Sequence, residues 1–131
     1  MAAHLFNNTS MTRMTATVVY GIPNCDTVRK ARKWLEQQQV NYHFHDVRAE
    51  PVSADAVHSW LQQLGTDTVL NKRSTAWRQL SAEEQAVTSN ADVVALLQRH
   101  PTLMKRPLLV AGSNYQAGFN EANWRSALEL G

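Results

Sequence analysis

A β-branched and aromatic run from Ala16 to Tyr20 stops at Gly21 and Pro23, and a helical pattern starts at Cys25. A short apolar run closed by turn residues reads as a buried strand running into a tight turn. After the turn, Val28, Ala31 and Leu35 recur at helical spacing with Trp34 beside them, while Arg29, Lys30, Arg32 and Lys33 occupy the rest of the cylinder. That is an amphipathic helix with one face for a core. Residues Tyr42 to Val47 then alternate well enough for a second strand. Strand, helix and strand in this order favour a parallel, right-handed crossover, which restricts the chain to α/β architectures.

Pro51 and Ser53 open a further helix with Val57, Trp60, Leu61 and Leu64 on one face, ended by Gly65 at a position that tolerates positive φ. Ser81 and Glu84 have capping-box spacing, and Ala91 to Arg99 reads as a helix carrying Val93, Val94 and Leu97 before Pro101. Pro107 to Ala111 is a compact apolar strand, Gly112 to Asn114 has turn chemistry, and Tyr115 to Ala117 can pair back as a hairpin. Phe119 to Leu130 closes the chain as a helix with Trp124, Ala127 and Leu128 on one face. The order β-α-β, helices, β-β-α predicts a mixed sheet in a thioredoxin-like fold, interrupted by a helical insertion over about residues 52–100.

The length of 131 residues suits one such domain. We expect it to span 14–131, with residues 1–13, polar and aperiodic, as a loose extension. Thirteen Lys and Arg against 11 Asp and Glu give a formal charge of +2, too slight for a surface that wraps nucleic acid or coats a membrane. Any anion bound is expected to be small. Residues 1–13 hold no apolar run suited to a signal peptide and no stretch elsewhere could span a membrane, so a cytoplasmic location is expected.

Cys25 is the one cysteine, which excludes an internal disulfide framework, a zinc site of several thiolates and a dithiol centre within one chain. At a helix start, unsatisfied backbone N–H groups and the macrodipole favour thiolate over thiol, although Asp26 would oppose ionisation if it pointed at the sulfur. A lone cysteine is more often a small buried hydrophobe. Here the Gly21-Ile22-Pro23-Asn24 turn exposes the segment and favours a reactive thiol. A phosphatase-like Cys-x5-Arg loop fails because Ala31 stands at the arginine position, and a Cys-x-x-Cys centre fails because position 28 is Val28. A thiol from outside the chain must therefore finish any reaction.

Three other clusters carry weaker signals. Asn71 to Arg78 concentrates cations and hydroxyls, and an anion site and a capped helix start are equally good readings. Lys105-Arg106-Pro107 places a proline at the first residue of a strand, where the missing N–H costs no ladder bond. Composition predicts a trans bond there and a surface charge at Arg106. His43 and His45, with Asp46 nearby, are too few for a metal site, His4, His58 and His100 add no ligand motif, and no metal is expected. Trp34, Trp60, Trp77 and Trp124 sit mostly at core spacing. The cations after Cys25 read as a solvated face. No glycine-rich phosphate loop is present, so no nucleotide cofactor is expected.

Three ordered motifs carry a resemblance: Tyr20-Gly-Ile-Pro-Asn-Cys-Asp-Thr before a basic helix, Asn71-Lys-Arg-Ser-Thr-Ala-Trp, and Lys105-Arg-Pro-Leu-Leu-Val followed by Gly118-Phe119. Together they resemble the ArsC/Spx family, most closely its YffB-like branch, from about Thr15 to Trp124. The resemblance implies a thioredoxin-like fold, Cys25 as nucleophile, and Arg106 as a catalytic arginine before a cis Pro107. It also implies substrate binding by Arg73, Asn24 and Pro107. The implied activity is that of an oxidoreductase, a glutathione-dependent thiol reductase, with glutathione as co-substrate, a small oxidised or anionic substrate, and no bound cofactor. Arsenate reductases of the family carry a further arginine after the last strands, where this chain has Ser113-Asn-Tyr-Gln-Ala. Spx-like members bind RNA polymerase and commonly carry a Cys-x-x-Cys switch, which Val28 removes. A non-catalytic, polymerase-binding regulator is therefore the alternative the resemblance implies.

Overall fold

The computed structural model describes residues 17–130, and the extension expected at 1–13 lies outside them. The chain divides into two compact units: one runs to His45 and resumes at Arg106, and the other is Asp46–Lys105.

In the first unit, strand β1 (Thr17–Gly21) leads into helix α1 (Asp26–Gln37) and strand β2 (His43–Asp46). After the second unit the chain returns as β3 (Leu108–Ala111), β4 (Asn114–Ala117) and helix α7 (Glu121–Ala127), the helices between being α2 to α6. The four strands form one sheet in the order β2-β1-β3-β4. β1 and β3 pair antiparallel with Tyr20 opposite Leu108, and β3 and β4 form the expected hairpin about Gly112, whose φ is +63°. This is a mixed α/β, thioredoxin-like sheet.

Strand alternation sends Val19, Leu109 and Ala111 to one face of the sheet, where they pack with Ala31, Trp34 and Leu35 of α1 and Trp124 and Ala127 of α7. Helix α7 is shorter than the Phe119 to Leu130 pattern suggests. Asn120 accepts a hydrogen bond from Asn123 N at 2.9 Å and caps the helix. Phe119 instead turns its ring against Trp34 and Trp124, with centroids 5.7 and 5.1 Å away. At the other end Glu129 takes φ +58° and ends the helix.

Gly21, the last residue of β1, is held by packing. A Cβ there would meet Val28 Cγ2 at 2.9 Å and Cγ1 at 3.3 Å. Gly21→Ala is expected to force strand and helix apart and to cost about 1–3 kcal/mol in urea unfolding. An unchanged midpoint would show that Val28 yields freely.

In the second unit, α2 (Ala54–Leu64) starts where Ser53 Oγ accepts from Ala56 N, buries Val57, Trp60 and Leu61, and ends at Gly65 with φ +84°. Short helices α3 (Thr66–Val69), α4 (Thr75–Arg78) and α5 (Ala82–Gln85) follow, then α6 (Asn90–Arg99), which packs on α2 and buries Val93, Leu96 and Leu97. A 3-10 turn, Pro101–Leu103, completes the unit. No helix among the described residues is long and apolar enough to cross a membrane.

The predicted capping box on α5 is present, and Glu84 has a second task in it. Its carboxylate accepts from Ser81 N at 3.4 Å and pairs with His100 Nε2 at 3.0 Å, with Arg99 at 3.9 Å. The hydrogen bond with His100, then that from Ser81, holds the Glu84 carboxyl below its ordinary value. A depressed folded-state value means that the stabilisation is whole above the unfolded-chain value and fades as pH falls through the depressed one. Glu84→Gln should therefore lower Tm at pH 6, with the gap to the parent closing in acid. A gap that persists unchanged to pH 3 would contradict this.

Candidate functional site

The chain leaves β1 at Gly21, buries Ile22, exposes Pro23 and Asn24, and reaches Cys25, the N-cap of α1. Cys25 has extended backbone angles, φ −99° and ψ 127°, as an N-cap requires. Its N–H donates to Ile22 O at 3.4 Å and its carbonyl accepts from Arg29 N at 2.9 Å. The side chain makes no capping hydrogen bond, and the residue is partly exposed. Cys25 therefore occupies the end of α1 whose first-turn amides have no acceptor within the helix, where β1 delivers the chain to the helix, and its sulfur makes no hydrogen bond to them.

Arg29 braces this turn, a role the sequence analysis did not assign. Its Nε donates to Pro23 O at 3.2 Å and its Nη1 to Asp26 Oδ1 at 3.1 Å. Asp26, the residue that would oppose a thiolate, is thus engaged by a guanidinium. The signal was available as an acid and an arginine three residues apart on a helix, but the carbonyl of Pro23 joins only once the turn has folded.

The antiparallel register sets the next pair of residues. Because Tyr20 lies opposite Leu108, the residues that follow β1 and those that precede β3 belong to the same end of the sheet. Arg106 and Pro107 occupy that position, and the bond between them is cis, as the resemblance implies and against the trans bond that composition predicts. Pro107 is buried, and its carbonyl accepts from Gly118 N at 2.8 Å, which ties it to the end of the hairpin. Arg106 is half-buried and has partners, which corrects the surface charge expected from composition. A cationic side chain at this depth needs such partners.

Cys25, Asn24, Arg106 and Pro107 all belong to the first unit, and Arg73 belongs to the second. Around Arg73 the loop is shaped by Asn71, whose Oδ1 accepts from Arg73 N at 3.1 Å, and by Ser74, whose Oγ donates to Asn71 O and accepts from Trp77 N. The segment is therefore a capped start of α4, and Arg73 is exposed just ahead of it. The capped start is the reading the structure shows; capping uses Ser74 and leaves Lys72 and Arg73 exposed.

On β2 the rings of His43 and His45 meet edge to face at 6.5 Å, and His45 lies 5.0 Å from the Tyr20 ring. Burial, and after it the Tyr115 phenol, pushes the Tyr20 hydroxyl above its ordinary value, so it remains a neutral group at physiological pH.

The family model described as the ArsC family matches residues 20–127. An uncharacterised protein of Haemophilus influenzae is 37% identical over 109 residues, covering 83% of this chain and 96% of that one. The global transcriptional regulator Spx of Bacillus subtilis is 30% identical over 112 residues, covering 84% and 85%. A solved structure named YFFB matches with a TM-score of 0.81 at 36% identity, over 86% of this chain and 98% of its own.

Proposed function

Since the chain belongs to the ArsC family, we propose that it acts as a thiol reductase through Cys25, with glutathione or another external thiol as co-substrate. The observation that carries this reading is a partly exposed cysteine at the N-cap of α1, its side chain unused by the cap itself. Cys25 thiolate attacks an oxidised sulfur, or the central atom of an oxyanion with loss of one of its oxygens as water. With a disulfide, the new bond joins Cys25 to one sulfur while the other leaves as thiolate. Glutathione thiolate then attacks the mixed disulfide, takes over the substrate sulfur and restores Cys25. Arg106 stabilises the thiolate and the leaving charge, Arg73 holds an anionic group, and Asn24 and Pro107 shape the binding surface.

The reading predicts that incubation with glutathione disulfide produces a protein heavier by one glutathionyl group in intact-mass measurement, reversed by excess glutathione. A Cys25 that stays unmodified in the folded protein while reacting in urea would overturn it.

The second reading, a non-catalytic Spx-like regulator that binds RNA polymerase, is favoured by the relatives' names, several of which are global transcriptional regulators Spx. On names alone it is the better supported. Val28, fully buried where a second thiol would complete a Cys-x-x-Cys switch, means that such a regulator would work without that switch. Capture of polymerase from extract at equal yield by the parent and by Cys25→Ser supports the regulator. No capture, together with glutathionylation, supports the reductase.

A further inference from the structure

We infer that the second unit carries a pocket, lined by Lys72, Arg73 and Lys105, for a small ligand bearing two or more negatively charged oxygen groups. The inference rests on the reading of Arg73 as an anion-holding residue and extends it to two lysines and to the charge of the ligand.

Lys105 is far from Lys72 in sequence, and backbone pairing brings it near. Leu70 and Met104 form an antiparallel bridge, flanked by hydrogen bonds from Asn71 N to Leu103 O at 2.8 Å and from Lys105 N to Val69 O at 2.7 Å. These bonds join the two segments as a short ladder, so the three cations stand on a braced frame. With Asp67, Thr68 and Asn71 they line a cavity of about 730 Å³. That is the size of a small-molecule pocket, roughly 300–1,000 Å³, and more than one simple oxyanion needs.

The charges select the ligand. Three cations face one carboxylate, Asp67, leaving an excess that a singly charged anion matches only in part. Lys72 Nζ lies 5.5 Å from the centre of the Trp77 ring, which steadies an otherwise free ammonium. The Asn71 oxygen is committed to Arg73 N, so the NH2 end of that amide is the end a ligand oxygen meets. Arg73 offers a planar fork and the lysines offer point charges, a set that suits paired carboxylates or linked phosphates.

The test is calorimetric titration of the full chain at low ionic strength with pyrophosphate, citrate and acetate. Pyrophosphate or citrate should saturate, acetate should not, and added salt should weaken the binding. The tighter of the two ligands identifies phosphate or carboxylate as the natural group. Lys72→Ala and Lys105→Ala should each weaken binding roughly five-fold, the range of an exposed ion pair, while Asp67→Asn should tighten it. The opposite signs separate a charged pocket from a general loss of folding. If Arg73→Ala weakens binding while both lysine variants leave it unchanged, the pocket is overturned and the reading of Arg73 survives. If the parent shows no saturable binding, the pocket is overturned, and the effect of Arg73→Ala on kcat/KM decides the role of Arg73 separately.

Discussion

Trp124→Ala should destabilise the first unit by roughly 3–5 kcal/mol, a large part of the stability of a domain this size. The residue is fully buried, between the sheet face made by Val19, Leu109 and Ala111 and the aromatic ring of Phe119. Its Nε1 also donates to Gly118 O at 2.9 Å, at the end of the hairpin. Truncation removes the indole, leaves a cavity the surrounding strands cannot close, and strands the Gly118 carbonyl. Trp124→Phe keeps most of the volume and loses the donor, so it should fall between the parent and alanine. Urea unfolding followed by circular dichroism measures all three. A loss below about 1 kcal/mol for alanine would mean that the core around α7 repacks freely.

Cys25→Ser should abolish reductase turnover, by roughly a thousand-fold or more, because the proposed steps pass through a bond to that sulfur. Stability should barely change, since the side chain is partly exposed and takes no part in capping α1. Serine is itself a good N-cap, so the variant is expected to fold at least as well as the parent. Glutathione-dependent reduction of a disulfide substrate, measured beside a melting curve, separates lost chemistry from lost fold. Turnover that survives the substitution would remove Cys25 from the mechanism.

The elements most legible in the sequence were those whose signals are local. The turn at Gly21 and Pro23, the caps at Ser53 and Ser81, the stop at Gly65 and the hairpin at Gly112 depend on backbone angles and on hydrogen bonds a few residues long. Helix α7 was misjudged in extent because Phe119 fits a helical pattern, and only its packing against Trp34 and Trp124 shows that it lies outside the helix. Helices α3 and α4 are too short for periodicity to reveal, and their boundaries come from Gly65 and Ser74.

For the candidate site, the position of Cys25 after a strand and at a helix start was readable, because it needs only the order of residues along one crossover. The cis bond at Pro107 was implied by the family motif and not by composition, while the half-burial of Arg106 and the clamp of Arg29 on Pro23 and Asp26 were not readable at all. Nor was the lining of one cavity by Lys105 together with Lys72 and Arg73. The amino-acid order thus determined which groups could react and which segments would curl or extend, since those preferences act over a few bonds. Which charges stand together, and how deep each lies, was decided by strand pairing and backbone bridges between residues far apart in the chain, whose energies exist only after folding has closed those loops.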